Sequence, residues 1–212
     1  MTDVPGGHRF VILHGWENRR PAGHWQHWLA GRLAELGHEV AYPQLPDPDD
    51  PELAVWLERL RALLAKPSGA RQVTVVCHSL ACALWLHAVA RGQVAAPVSR
   101  VLLVAPPSAG FLRQHPQVAA FAPPPLTAGQ LAGAAGRTRI VCGDDDPCCP
   151  EGAPAEFAAP LGLPADVVAG GGHLNTASGY GPWPGVLDWC LAAAGDDPLR
   201  GLDQAEGGGA RT

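Results

Sequence analysis

Between Gln72 and Cys77 the chain carries a continuous β-branched run, Val73-Thr74-Val75-Val76, that passes through His78-Ser79 directly into a helical pattern at Leu80–Ala90. A strand with one wet face alternates apolar and polar residues, whereas an unbroken apolar run belongs to a strand covered on both faces, as in a parallel sheet. Similar short runs recur at Arg9–Leu13, His38–Tyr42, Val101–Val104, Arg137–Cys142 and Asp166–Ala169. Between them lie segments with helical spacing: Trp25–Leu36, a stretch after Pro51 that sets Leu53, Trp56, Leu57, Leu60 and Leu64 on one face, and a terminal segment at Pro184–Ala194. Strands alternating with helices predict an α/β fold, a doubly wound and mostly parallel sheet flanked by helices and joined by right-handed crossovers. With 47% hydrophobic residues in 212, the chain can bury one substantial core, so a single domain is expected over 8–194. The polar, Gly-rich stretch 195–212 shows no periodicity and is expected to be a disordered tail.

Charge and cysteine usage narrow the classes of function. The net charge is −5, and the 15 Lys and Arg residues are scattered. No basic footprint for nucleic acid or an anionic membrane results, and a neutral or weakly charged small molecule suits the chain better. The apolar run near the N-terminus covers only Phe10–Leu13, and the most hydrophobic window, Leu80–Ala90, is too short to span a bilayer, so neither export nor membrane insertion is expected. Six cysteines are too sparse for a disulfide-stapled domain, which points to a reducing cytoplasm. Cys148-Cys149 lacks a C-x-x-C partner and reads as ordinary small loop residues; His24 and His27 have no third ligand, and no metal is expected.

Ligands of an open parallel sheet bind beyond the carboxyl ends of its strands, so polar residues at those ends are the candidates for chemistry. Four places qualify: His14-Gly15-Trp16, Cys77-His78-Ser79-Leu80-Ala81, Gly143-Asp144-Asp145-Asp146-Pro147 and Gly170-Gly171-Gly172-His173. In the second, Ser79 sits on a strand-to-helix turn between small residues, the setting of a nucleophile elbow; taken alone, it reads equally well as a helix cap. The downstream residues favour chemistry. Ser79, Asp146 and His173 each come after a strand, in the order serine, acid, histidine. Asp144 and Asp145 read as solvated turn aspartates, His78 as a packing residue beside the nucleophile, and His14 as a group that orders the first loop. The proline-rich segment between Val104 and Arg139 reads as a long loop that forms a short wall over the site.

These residues carry a family resemblance. His14-Gly15-Trp16, His24-Trp25, the P-x-L-P of Pro43–Pro46, H-S-L-A-C around Ser79, D-P at Asp146, G-H-L-N at His173–Asn175 and G-x-W-P at Gly181–Pro184 occur in order across roughly Phe10 to Cys190. The chain thereby resembles the small serine hydrolases typified by retinoblastoma-binding protein nine and its bacterial YdeN-like relatives, within the α/β-hydrolase superfamily. Ala81 departs from the glycine common in the family. The resemblance implies a compact α/β-hydrolase fold without a large lid domain, and a cofactor-independent serine hydrolase acting on a small carboxylic ester or amide through an acyl-serine. Ser79 would be the nucleophile, His173 the base and Asp146 the supporting acid. Backbone N–H groups of Leu80 and of Gly15 or Trp16 would form the oxyanion hole, and Trp16, Phe111 and Phe121 would contact the acyl group. A protein-binding member of the same fold and an acyltransferase are the competing readings.

Overall fold

The computed structural model describes residues 7–192 and Leu199. Six strands form one wholly parallel sheet: β1 (His8–Leu13), β2 (Glu39–Ala41), β3 (Gln72–His78), β4 (Arg100–Val104), β5 (Thr138–Gly143) and β6 (Ala165–Val168). Their spatial order is β2-β1-β3-β4-β5-β6. The chain steps from β1 outward to β2, then crosses back over β1 to lay down β3. This reversal splits the carboxyl ends of β1 and β3, which pair in register from His8↔Gln72 to Leu13↔Cys77. A crevice at such a switch point is where α/β sheets hold ligands.

The expected burial of both sheet faces is observed, and the two-residue period of a strand sorts its side chains between two hydrophobic layers. Val11, Leu13, Val75, Cys77, Val101, Leu103, Ile140 and Cys142 enter one layer. Phe10, Ile12, Val76, Leu102, Val104 and Val141 enter the other. Over the first layer lie α2 (Leu53–Ala65), α3 (Leu80–Ala90), α5 (Ala128–Ala134) and the short α6 (Ala159–Leu161); over the second lie α1 (Trp25–Glu35) and α7 (Pro184–Leu191). The most central of these, α3, has every residue from Leu80 to Val89 buried, so its long apolar run is the signature of a helix enclosed on all sides. Helix α1 is capped by His24, whose side chain accepts the Gln26 N–H, and ends before Gly37, whose φ of 83° is the left-handed turn that glycine adopts without strain.

Two polar pairs fasten sheet to periphery. Arg100 of β4 stacks its guanidinium over Trp189 and donates to the carbonyls of Trp189 (2.6 Å) and Cys190 (2.9 Å), satisfying acceptors left open at the end of α7. Arg139 of β5 forms a two-point ion pair with Asp166 of β6, at 2.5 and 2.8 Å.

The segment between β4 and β5 differs from the single loop expected. It contains α4 (Ala109–Gln114), a turn of 3-10 helix at Ala119–Phe121, and α5. Ser108 caps α4 through the Phe111 N–H, and Thr127 with Gln130 forms a reciprocal capping box at the start of α5. Prolines lie between these short helices, where they punctuate helices without interrupting them. The tail expected at 195–212 falls outside the described residues except at Leu199, which is buried and donates its N–H to Asp166. Among the described residues, no helix is long and apolar enough to cross a membrane.

Candidate active site

Strand β3 ends at His78, and Ser79 turns the chain into α3 with φ 55° and ψ −124°. A residue with a Cβ pays for positive φ with on the order of 1–3 kcal/mol of backbone strain, so the surrounding structure must hold it there. The Ser79 N–H donates to the Val104 carbonyl of β4 at 2.9 Å, and Gly15 is pressed against the serine from the other side. A Cβ built on Gly15 would lie 2.7 Å from Ser79 Cβ and 3.2 Å from Ser79 Oγ, which leaves room only for glycine. Ser79 does not use its side chain to cap α3, so its hydroxyl remains available for another partner.

That partner is His173. Its Nε2 lies 2.8 Å from Ser79 Oγ, while Nδ1 lies 2.9 Å from both carboxylate oxygens of Asp146. The three side chains, 67 and 27 positions apart along the chain, therefore form one unbroken hydrogen-bonded row. Asp146 is buried, and its Oδ1 also accepts the Cys148 backbone N–H at 2.8 Å.

The loops that carry Asp146 and His173 are bound to each other. A Cβ at Gly143 would fall 2.3 Å from the Gly172 carbonyl oxygen, so the turns after β5 and β6 meet backbone to backbone. Asp144 accepts the Gly170 N–H at 2.8 Å and Asp145 the Gly172 N–H at 2.7 Å. The three consecutive aspartates thus hold three points of the Gly170–His173 loop. Asp144 and Asp145 are exposed, as expected, but they bind the base loop and are not merely solvated. Sequence reasoning missed this arrangement; its trace was the adjacency of a D-D-D run and a G-G-G-H run at the ends of two strands that pair.

Electrostatics distinguish His173 from the imidazoles around it. Burial by itself would lower its pKa, but hydrogen bonds to Asp146 and Cys148 and the Asp146 charge prevail and raise it to about 9. His78 goes the other way, far below the usual value, chiefly through burial and then through neighbouring His24 and His173. His24 is lowered to about 4, again mainly by burial. His173 is therefore the imidazole here that can take and hold a proton. His78 donates from Nε2 to the His173 carbonyl at 3.1 Å, bracing the base from behind. His14 donates from Nδ1 to the Gly15 carbonyl and accepts the Leu45 N–H on Nε2, both at 2.8 Å, tying the first loop to the P-x-L-P turn. His24 is buried while His27 is exposed, so this pair does not converge on a ligand.

A cleft of about 360 Å³ opens over Ser79 and His173, walled by Gly15, Trp16, Asn18, Arg19, Asn175 and Thr176 among others. Of the aromatic residues expected to meet an acyl group, only Trp16 lines it; the indole is held by a 2.9 Å bond from Nε1 to the Asp49 carbonyl. Phe121 is fully buried, edge-on to Trp56 of α2, because its 3-10 turn packs against α3 and turns the ring into the core. Phe111 stacks on His115, whose ring touches Trp16, and stands outside the cleft wall. The β4–β5 segment thus meets the Trp16 wall of the cleft through the His115 ring. Leu80 opens α3, and its backbone N–H is among the first of that helix, which lack intrahelical acceptors.

The fold has counterparts. YdeN of Bacillus subtilis (strain 168) is 24% identical over 180 residues, 84% of this chain and 91% of its own length. The crystal structure of that gene product superposes with a TM-score of 0.72, over 85% of this chain and 95% of that one. A YdeN-like protein of Pectobacterium atrosepticum gives a TM-score of 0.65 at 22% identity, covering 86% of this chain and 88% of its own. The α/β hydrolase domain-containing protein 10 of mouse gives 0.56 at 15% identity, over 78% and 82% of the two chains. These likenesses establish the α/β-hydrolase fold. The family profile described as serine hydrolase matches residues 10–191, nearly all of the described chain, and on that match the protein belongs to the serine hydrolase family.

Proposed function

We propose that this hydrolase cleaves a small carboxylic ester, or the corresponding amide, through an acyl intermediate on Ser79, with His173 as general base and acid and Asp146 as its orienting carboxylate. The observation that carries this reading is the continuous row from Ser79 Oγ through the His173 ring to Asp146, at 2.8 and 2.9 Å. In the first step the Ser79 proton passes to His173 Nε2 as Oγ attacks the substrate carbonyl carbon. The Asp146 carboxylate keeps the ring proton on Nδ1, leaving Nε2 free to accept, and stabilises the resulting imidazolium. Oxyanion charge is met by the Leu80 N–H and one from Gly15 or Trp16. Collapse expels the alcohol or amine, which takes the proton from His173. Water then gives a proton to the same nitrogen, attacks the acyl group and frees Ser79.

The cleft supports a small substrate. Its wall mixes polar and apolar surface, with the Trp16 indole as its large apolar face, and among the described residues no separate domain covers it. A panel of nitrophenyl esters of increasing acyl length tests this: turnover should be highest for short chains. A fluorophosphonate probe should add one adduct to the protein, at Ser79, and none to Ser79→Ala. Absence of an adduct on the native chain would overturn the reading.

A further inference from the structure

Cys148 is the one cysteine of the six that is not buried. It follows Asp146 by two residues in the turn that closes on the acid, where its own N–H binds Asp146 Oδ1. One ligand atom from each of Asp146, Cys148 and His173 lies within 4.8 Å of the other two. A carboxylate, a thiol and an imidazole are the donor types that zinc takes, and the thiol favours a soft cation over magnesium or calcium. Around tetrahedral zinc, sulfur and nitrogen ligands stand roughly 3.5 Å apart. From contacts within 4.8 Å, including 2.9 Å between Asp146 and His173, zinc binding calls for the Asp146–His173 contact to open and the partly exposed Cys148 side chain to adjust to that spacing.

We propose that Asp146, Cys148 and His173 form a reversible inhibitory site for a thiophilic divalent cation of the zinc type, an inference that rests on the triad read above for its effect on turnover but not for the binding itself. Cys148 gives up its thiol proton to solvent and binds as thiolate. The metal displaces the proton of the neutral ring from His173 Nδ1, and that proton moves to Nε2, so the imidazole binds through Nδ1 as the Nε2–H tautomer. Nε2 then donates to Ser79 Oγ instead of accepting from it, so the serine loses its base while the fold is unchanged. Asp146, now a metal ligand, no longer fixes the productive tautomer. The fourth position is left to water. Removing the metal restores the original hydrogen-bonded row.

The test is a titration of the metal-free chain with zinc chloride, read by calorimetry and in parallel by nitrophenyl ester turnover, with Cys148→Ala and Ser79→Ala beside the native chain. Each chain's turnover in chelator serves as its own reference. The native chain should bind one zinc ion and lose turnover by at least about tenfold on saturation, with recovery on adding EDTA. Cys148→Ala should bind at least about tenfold more weakly and keep its turnover at the same zinc concentration. Ser79→Ala should bind zinc as the native chain does. Equal zinc affinity in Cys148→Ala, or saturation of the native chain without loss of turnover, would overturn the proposal. If the native chain hydrolyses no ester in chelator yet binds zinc only when Cys148 is present, the esterase reading falls and the metal site stands.

Discussion

The two halves of the catalytic rim are built by different means. On the β1–β3 side, position is enforced by sterics: Ser79 is held at positive φ, and Gly15 is packed so closely against it that a single added carbon has nowhere to go. On the β5–β6 side, close glycine packing is joined by charge, with three aspartates gripping backbone amides and the imidazole of the loop after β6. Steric restraint is insensitive to pH and intolerant of volume. Carboxylate restraint adds a dependence on charge, on a side packed as tightly as the first: a Cβ at Gly143 would lie 2.3 Å from the Gly172 carbonyl oxygen. On the proposed mechanism, a nucleophile that must be aimed suits the first, and a base that must gain and lose a proton suits the second.

Substitutions can break this contrast, starting with the largest effect. Asp146→Asn should lower kcat by about 10⁴-fold through loss of the productive tautomer, while fold and melting temperature change far less than activity. Steady-state kinetics beside a thermal melt would check it, and undiminished turnover would move the acid elsewhere. Gly15→Ala should lower kcat/KM by about 10²-fold, because its Cβ, at 2.7 Å from Ser79 Cβ, forces the nucleophile out of line with His173. Fluorophosphonate labelling should slow in parallel. If this variant labels at the native rate, steric confinement is not what aims Ser79.

Asp145→Asn should be milder, since the amide oxygen still accepts the Gly172 N–H but without charge; Asp145→Ala should cost about 1 kcal/mol and raise exchange of the Gly172 amide. Hydrogen exchange on the loop after β6, with the Ser79 elbow as internal reference, would show whether the two halves respond separately. The pH dependence sharpens the same contrast. His173 must be neutral to accept the serine proton, so kcat/KM should rise with pH through its raised value, toward about 9. The stability contributed by the imidazolium–Asp146 pair has the opposite slope: it is fully present below 6.5, the unfolded value, and is lost as pH rises through about 9. Activity and melting temperature should therefore diverge across this window. Both slopes should flatten in Asp146→Asn.

Most of the fold could be read from the chain because a parallel sheet covered on both faces writes itself as continuous apolar runs, and those runs recur at regular intervals. The carboxyl ends of such strands narrow the search for a site to a few residues, and there Ser79, Asp146 and His173 stand in serine hydrolase order. The β4–β5 segment defies a reading from its prolines, which suggest a loop; each sits between short helices whose Ser108 and Thr127 caps are the better signal. Phe121 is misplaced by sequence for a related reason. An aromatic residue in a segment near the site faces either cleft or core, and only the packing of its 3-10 turn against Trp56 decides which. Asp144 and Asp145 look like solvent residues in the sequence because their partners lie 26 and 27 positions away.

What the amino-acid order determined by itself is therefore local and periodic: which segments are strands, which are helices, and which polar residues end up at strand tips. Convergence belongs to the tertiary structure. Pairing β5 with β6 and β1 with β3 is what brings Gly143 against Gly172 and Gly15 against Ser79, and contact distances of a few ångströms between remote residues leave no mark in a one-dimensional pattern. The same convergence sets the His173 proton affinity, because burial and a carboxylate at 2.9 Å act on the imidazole only once the chain has folded around it.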